Sequence, residues 1–183
     1  PRLMTAPPAR PMVYHITHID NLAFILADGA ILSDSAMAAR GGRTTVVGMP
    51  KLKERCFHLP VACHPGTVVA DYARLYFCPR SIMLYVIHRA NHEDLDYRGG
   101  QEPILHLESD FHEVVAWAEG NGRRWAFTVS NATARYAPFR SRLEDLNEVN
   151  WSAVAARDWR DPVVREGKQA EFLVHESLPW ALV

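Results

Sequence analysis

The residue in this sequence with the clearest chemical potential is a lone carboxylate at the entrance of an apolar strand. In Lys168-Gln169-Ala170-Glu171-Phe172-Leu173-Val174, period-two alternation puts Ala170, Phe172 and Val174 on one face and Gln169, Glu171 and Leu173 on the other. Glu171 therefore points either to solvent, as on an edge strand, or into a cleft, where it would be functional. Cys56, His58, Cys63 and His64 have donor atoms for a metal, but their spacing matches no usual zinc pattern. His88 and His92 follow a predicted strand and a turn, so they share no helix face. Arg80, in Cys78-Pro79-Arg80-Ser81, carries a guanidinium fork that fits a phosphate, with an ordinary salt bridge as the alternative. Phosphate-binding glycine loops, the serine elbow of hydrolases and the paired-histidine helix of zinc proteases are absent from the sequence.

The elements that position these residues follow from periodicity and turn chemistry. Residues 1–12 are proline-rich and read as a flexible arm, and residues 13–17 are β-prone. Asp20 is the expected N-cap of a short helix over residues 21–28 that stops at Gly29. Residues 31–33 return as a strand. Residues 33–48, which include Arg40 and Arg43, show little periodicity and read as a long loop. Residues 51–59 form a short helix or turn, and His64-Pro65-Gly66 a turn. Residues 83–87 are the strongest candidate for a buried central strand, and residues 104–107 and 124–128 are further strands. Residues 114–118 form a helix closed by Gly120-Asn121-Gly122. Phe139, Leu143 and Leu146 recur at helical spacing, and residues 151–159 suit a further helix before the Glu171 strand.

At 183 residues and 48% hydrophobic, the chain has material for one core and one domain. A net charge of −1 gives no field that would draw in a polyanion, so any nucleic-acid contact must come from a local basic patch. Three cysteines without a C-x-x-C pair argue against a disulfide framework and for reduced thiols in the cytoplasm. There is no apolar run of about eighteen residues and no signal-peptide core, so neither a membrane span nor secretion is expected.

Five stretches carry a resemblance. They are residues 14–22 from Tyr14-His15-Ile16-Thr17, Tyr76-Phe77-Cys78-Pro79-Arg80-Ser81, residues 97–104 around Gly99-Gly100-Gln101-Glu102-Pro103, Arg124-Trp125-Ala126-Phe127-Thr128, and the Glu171 strand. Taken in order from Tyr14 to the C-terminus, they resemble the DarT family, toxin ADP-ribosyltransferases that use NAD to modify bases in single-stranded DNA. The resemblance implies an α+β, mono-ADP-ribosyltransferase-like fold over residues 13–183, with two small packed β-sheets, an NAD cleft between them and peripheral helices. Because family members continue past the Pro179-Trp180 motif, it also implies that the domain is truncated at Val183.

The resemblance assigns roles as well. Breaking the nicotinamide glycosidic bond takes the ribose through an oxocarbenium-like state, which a carboxylate on the ribose hydroxyls stabilises, and Glu171 matches the family's catalytic glutamate. His15, Ile16 and Thr17 would hold the nicotinamide end, with Phe24 and Ser33 at further NAD positions. Residues 36–58 would be the NAD-binding element, and residues 131–171 would present the DNA base. The second arginine of a family Glu-Arg-Arg run, which acts on the target base, falls on Cys56 in Glu54-Arg55-Cys56. A cysteine supplies no permanent cation, which makes Cys56 and its neighbour Arg55 the positions to test on the acceptor side. Arg80 is the candidate nucleic-acid contact. The implied co-substrate is NAD without a metal, and the implied partners are single-stranded DNA and the antitoxin DarG with its macrodomain, in the cytoplasm and away from membranes. Two other readings remain: a catalytically impaired NAD- or DNA-binding member, and an ADP-ribosyltransferase acting on RNA or protein.

Overall fold

The computed structural model describes residues 6–41, 44–134 and 136–183, so Arg43 lies outside the described residues. The first strand, β1 (Met12–His18), is anchored ahead of its first residue, since the Phe111 amide donates to the Pro11 carbonyl and Arg10 pairs with Asp110 at 2.7 Å. A single 3-10 turn, Ile19–Asn21, leads into α1 (Leu22–Asp28). Asp20 does not cap that helix. The His18 ring accepts the Asp20 amide instead, and Asn21 is held by a loop further along the chain. Gly29 ends α1 in the left-handed conformation, φ 63°, as its type requires.

β2 (Ala30–Leu32) is followed by α2 (Asp34–Arg40), a helix in the stretch whose weak periodicity reads as a loop. Its start is encoded by Ser33, whose hydroxyl accepts the Ala36 amide at 3.1 Å. After α3 (Pro50–Cys56) comes β3 (Tyr72–Tyr76), and then α4 (Ile82–Arg89), which replaces the expected central strand at residues 83–87. A short apolar run cannot by itself separate strand from helix. Here Ser81 decides it by accepting the Leu84 amide at 3.2 Å, and the run turns Ile87 fully inward while leaving Tyr85 42% exposed.

β4 (Ile104–Asp110) runs into α5 (Phe111–Gly120), capped by Asp110, and β5 (Trp125–Thr128) follows. The helical spacing of Phe139, Leu143 and Leu146 resolves into β6 (Phe139–Arg140) and a 3-10 segment, Leu143–Glu148. α6 (Trp151–Ala155) is shorter than its apolar pattern, because the chain becomes extended at Ala156. α7 (Pro162–Gly167), β7 (Glu171–His175) and β8 (Ser177–Pro179) complete the order.

Six strands form one antiparallel sheet in the order β4-β1-β3-β7-β5-β6, and β2 pairs with β8 in a second sheet. The α+β expectation is met with sheets of unequal size. On one face of the large sheet Leu75, Phe77, Phe127, Phe172 and Val174 pack with Phe111, Val114 and Trp151. On the other face Tyr72, Leu173 and Ala126 pack with Cys56, Val61 and Val69. β7 is thus a central strand covered on both sides. The edge-strand alternative for Glu171 is excluded, since its strand is paired on both edges, with β3 and with β5.

Candidate active site

β3 and β7 are antiparallel with Tyr76 opposite Glu171 and Arg74 opposite Leu173. Side chains of one register pair share a face, so Arg74 is the diagonal neighbour of Glu171 on the face away from the main core. Its guanidinium lies 3.9 Å from the Glu171 carboxylate and donates to Asp34 at 3.2 Å. Asp34, placed at the first turn of α2 by the Ser33 cap, also receives the Lys53 ammonium from α3 at 2.9 Å. Four elements distant in sequence therefore bring two carboxylates and two cations together.

Glu171 is 3% exposed. Burial raises its pKa above the ordinary glutamate value, against the pull of Arg74 and of the Ala132 amide, which donates to Oε1 at 3.0 Å. Its own amide donates to the Thr128 hydroxyl at 3.1 Å, and that hydroxyl donates to the Ser130 carbonyl at 2.6 Å. The residue is thus held at its backbone amide and at Oε1. Burial would also raise Asp34, but Arg74 and Lys53 hold it below the ordinary aspartate range. Arg74 stays charged: burial pulls it down, and the surrounding negative groups more than reverse this.

Two clefts open on either side of this cluster, and both are walled by Lys53, Arg74, Tyr76, Met83 and Glu171. The first also takes in His15, Ile16, Thr17 and Phe24, so sequence-predicted residues do converge on Glu171. The His15 ring bonds through Nδ1 to the Arg74 carbonyl at 3.0 Å. A carbonyl only accepts, so Nδ1 carries the proton and Nε2 is the acceptor. Burial, with the nearby charges of Arg74 and Lys53, lowers the His15 pKa and keeps the ring neutral. Asn21 closes the far wall by donating to Thr17 and to the Thr45 carbonyl while accepting the Thr45 amide at 2.8 Å, which staples residues 44–48 over β1. The second cleft is lined by Asn131, Thr133 and Gln169 together with Leu52, Ile82 and Val86.

Other expectations are corrected. Ser33 is 1% exposed and its hydroxyl is used on the α2 cap, so it shapes the first cleft through Asp34 instead of lining it. Arg55 is exposed and lines neither cleft. Cys56 is fully buried in the second core layer, where its thiol donates to the Leu52 carbonyl at 3.1 Å and burial raises its pKa. Lys53, on the same helix, is the residue that reaches both clefts. Arg80 lies at a separate cleft with Tyr14, Cys78 and Lys168, away from Glu171. Among the described residues no three of His, Cys, Asp and Glu are grouped to hold a metal, and no helix is long and apolar enough to cross a membrane.

A buried carboxylate poised between two clefts, one with a neutral histidine and an aromatic ring, is the layout of a group-transfer enzyme with separate donor and acceptor sites. Comparison with known proteins is specific. Residues 14–183 match the family described as "ssDNA thymidine ADP-ribosyltransferase, DarT", and the chain belongs to that family. It is 41% identical over 172 residues to a DNA ADP-ribosyl transferase of Thermus sp. (strain 2.9), covering 93% of this chain and 78% of the relative. The relative of the same name from Thermus aquaticus is 39% identical over 183 residues, covering 100% and 77%. Among solved structures, Thermus sp. 2.9 DarT in complex with ADP-ribosylated ssDNA superimposes with a TM-score of 0.87 at 38% identity, covering 99% of this chain and 82% of that one. The same protein in complex with NAD+ gives 0.78 at 37% identity, covering 97% and 81%.

Proposed function

We infer that this protein transfers ADP-ribose from NAD to a thymidine base of single-stranded DNA. The observation that carries this reading is the position of Glu171, buried on a wall common to two clefts. The first cleft, with His15, Ile16, Thr17 and Phe24, takes NAD. The second, with the amides of Asn131 and Gln169 and the hydroxyl of Thr133, takes the base. In the reaction the bond from the ribose anomeric carbon to the nicotinamide nitrogen breaks, and its electron pair leaves on neutral nicotinamide. The lone pair of a base ring nitrogen forms the new bond, and the proton of that nitrogen passes to Glu171, whose raised pKa suits it to accept. The same carboxylate stabilises the ribose cation before the proton arrives.

The reading as an impaired remnant rests on Cys56, and a buried guanidinium beside Glu171 weighs against it. Incubating the protein with NAD and either single-stranded oligonucleotides, RNA or protein acceptors, followed by mass spectrometry, tests the assignment. A mass gain of one ADP-ribose on thymidine-containing DNA is expected, and labelling of RNA or protein alone would replace DNA as the acceptor. Family membership further supports action as a cytoplasmic toxin opposed by DarG, whose macrodomain would remove the modification. Relief of growth arrest on co-expression with DarG is the corresponding check.

A further inference from the structure

We propose that Arg74 is the acceptor-side catalytic cation of this protein, a guanidinium delivered from β3 into the space that a side chain on α3 would otherwise have to reach. The proposal rests on the reading of the second cleft as the base site.

Its first support is placement. Arg74 is shared by both clefts and adjoins Glu171 diagonally, so it stands where donor and acceptor must meet. The second is donor capacity. One N–H is committed to Asp34 at 3.2 Å, whereas the 3.9 Å separation from Glu171 is too long for a hydrogen bond. That edge of the fork remains available to a carbonyl oxygen of the base. The third is the relation to position 56. The Cys56 thiol and the Arg74 guanidinium, delivered from α3 and β3, are near enough to interact electrostatically. Cys56 itself lines neither cleft, whereas Arg74 stands in both.

Lys53 cannot substitute, because its single ammonium is bound to Asp34 and offers no planar fork. As the ring nitrogen gives up its proton to Glu171, negative charge spreads onto the neighbouring carbonyl oxygens. A fixed, desolvated guanidinium stabilises that charge without reorganising.

The test compares the parent with Arg74→Ala, Arg74→Lys, Cys56→Arg and the double variant Cys56→Arg/Arg74→Ala. Transfer to a thymidine oligonucleotide and hydrolysis of NAD by water are each followed across pH. Arg74→Ala is expected to lose roughly a hundredfold in transfer, and much less in NAD hydrolysis, because water needs no help to spread an imide charge. Its remaining transfer should climb with alkaline pH more steeply than the parent's, as the base ionises unaided. Arg74→Lys should recover little, since one point charge replaces two directed donors. The double variant should regain transfer by restoring the guanidinium from α3, while Cys56→Arg alone should gain nothing because Arg74 already supplies the guanidinium. Equal losses of transfer and hydrolysis in Arg74→Ala, with an unchanged pH profile, would reduce Arg74 to a structural partner of Glu171 and overturn the proposal. Parental transfer in Arg74→Ala would do the same. A parent that hydrolyses NAD yet labels no oligonucleotide would instead sink the DNA reading itself.

Discussion

Glu171 pays for its position in a way that can be measured. Its folded pKa lies above the ordinary value of 4.5, so the folded chain holds the proton more tightly than the unfolded one. The stability this contributes is complete below that value and is lost as pH rises through the folded pKa. At neutral pH the parent therefore bears the cost of a buried charge, and Glu171→Gln removes the charge while its carbonyl can still accept the Ala132 amide. The variant should melt above the parent at neutral pH, with the difference closing as pH falls through the folded pKa toward 4.5, and its transfer should drop by about two to three decades. A variant that melts below the parent at neutral pH would mean that the Arg74 contact outweighs burial. Glu171 was legible in the sequence because alternation placed it opposite an apolar face and its surrounding motif was specific. Arg74 was not. A single arginine between Ala73 and Leu75 reads as a solvated strand position, and only the β3–β7 register reveals its diagonal neighbour.

Among the elements, the junction of β5 with β7 has the most direct control over the site. Their ladder runs through Phe127 opposite Phe172, and beyond it a side chain takes over, with Thr128 accepting the Glu171 amide and donating to Ser130. Thr128→Val keeps the β-branched shape but leaves a buried amide and a buried carbonyl unpaired, at about 1–3 kcal/mol. Urea unfolding should show that loss, and transfer should fall by more than stability alone explains because Glu171 has lost its backbone anchor. Parental stability and transfer in Thr128→Val would show that the hydroxyl anchors nothing. Two of the elements that sequence misassigned are fixed by single capping hydroxyls. Ser33 turned an aperiodic stretch into α2, and Ser81 turned a strand-like run into α4, local effects that periodicity over a window does not register.

For the whole molecule, the site consists of residues from β1, α2, α3, β3 and β7, so a ligand bound there holds most of the fold together. NAD present at a hundred times its dissociation constant stabilises the folded state by about 2.7 kcal/mol, or roughly 5–11 °C in melting temperature for a chain of this length. This should be visible by calorimetry in Glu171→Gln, where NAD is not consumed. A melting temperature that does not respond to NAD would remove the first cleft as its site. Composition speaks to this level only in bulk: 48% hydrophobic residues and a net charge of −1. It could not show that the core is split into layers by a sheet whose central strands carry Arg74 and Glu171.

The strand order has a consequence for how activity arises during synthesis. β7 lies between β3 and β5, yet it is the last of the six main-sheet strands to leave the ribosome. Until it inserts, β3 and β5 have no neighbour on their facing edges, and Arg74 lacks Glu171 as its diagonal neighbour. A nascent chain that ends before β7 lacks Glu171 altogether. Such long-range pairing is also the slowest kind to form. Arg74 and Glu171 therefore come together only when the last main-sheet strand to be made closes the sheet.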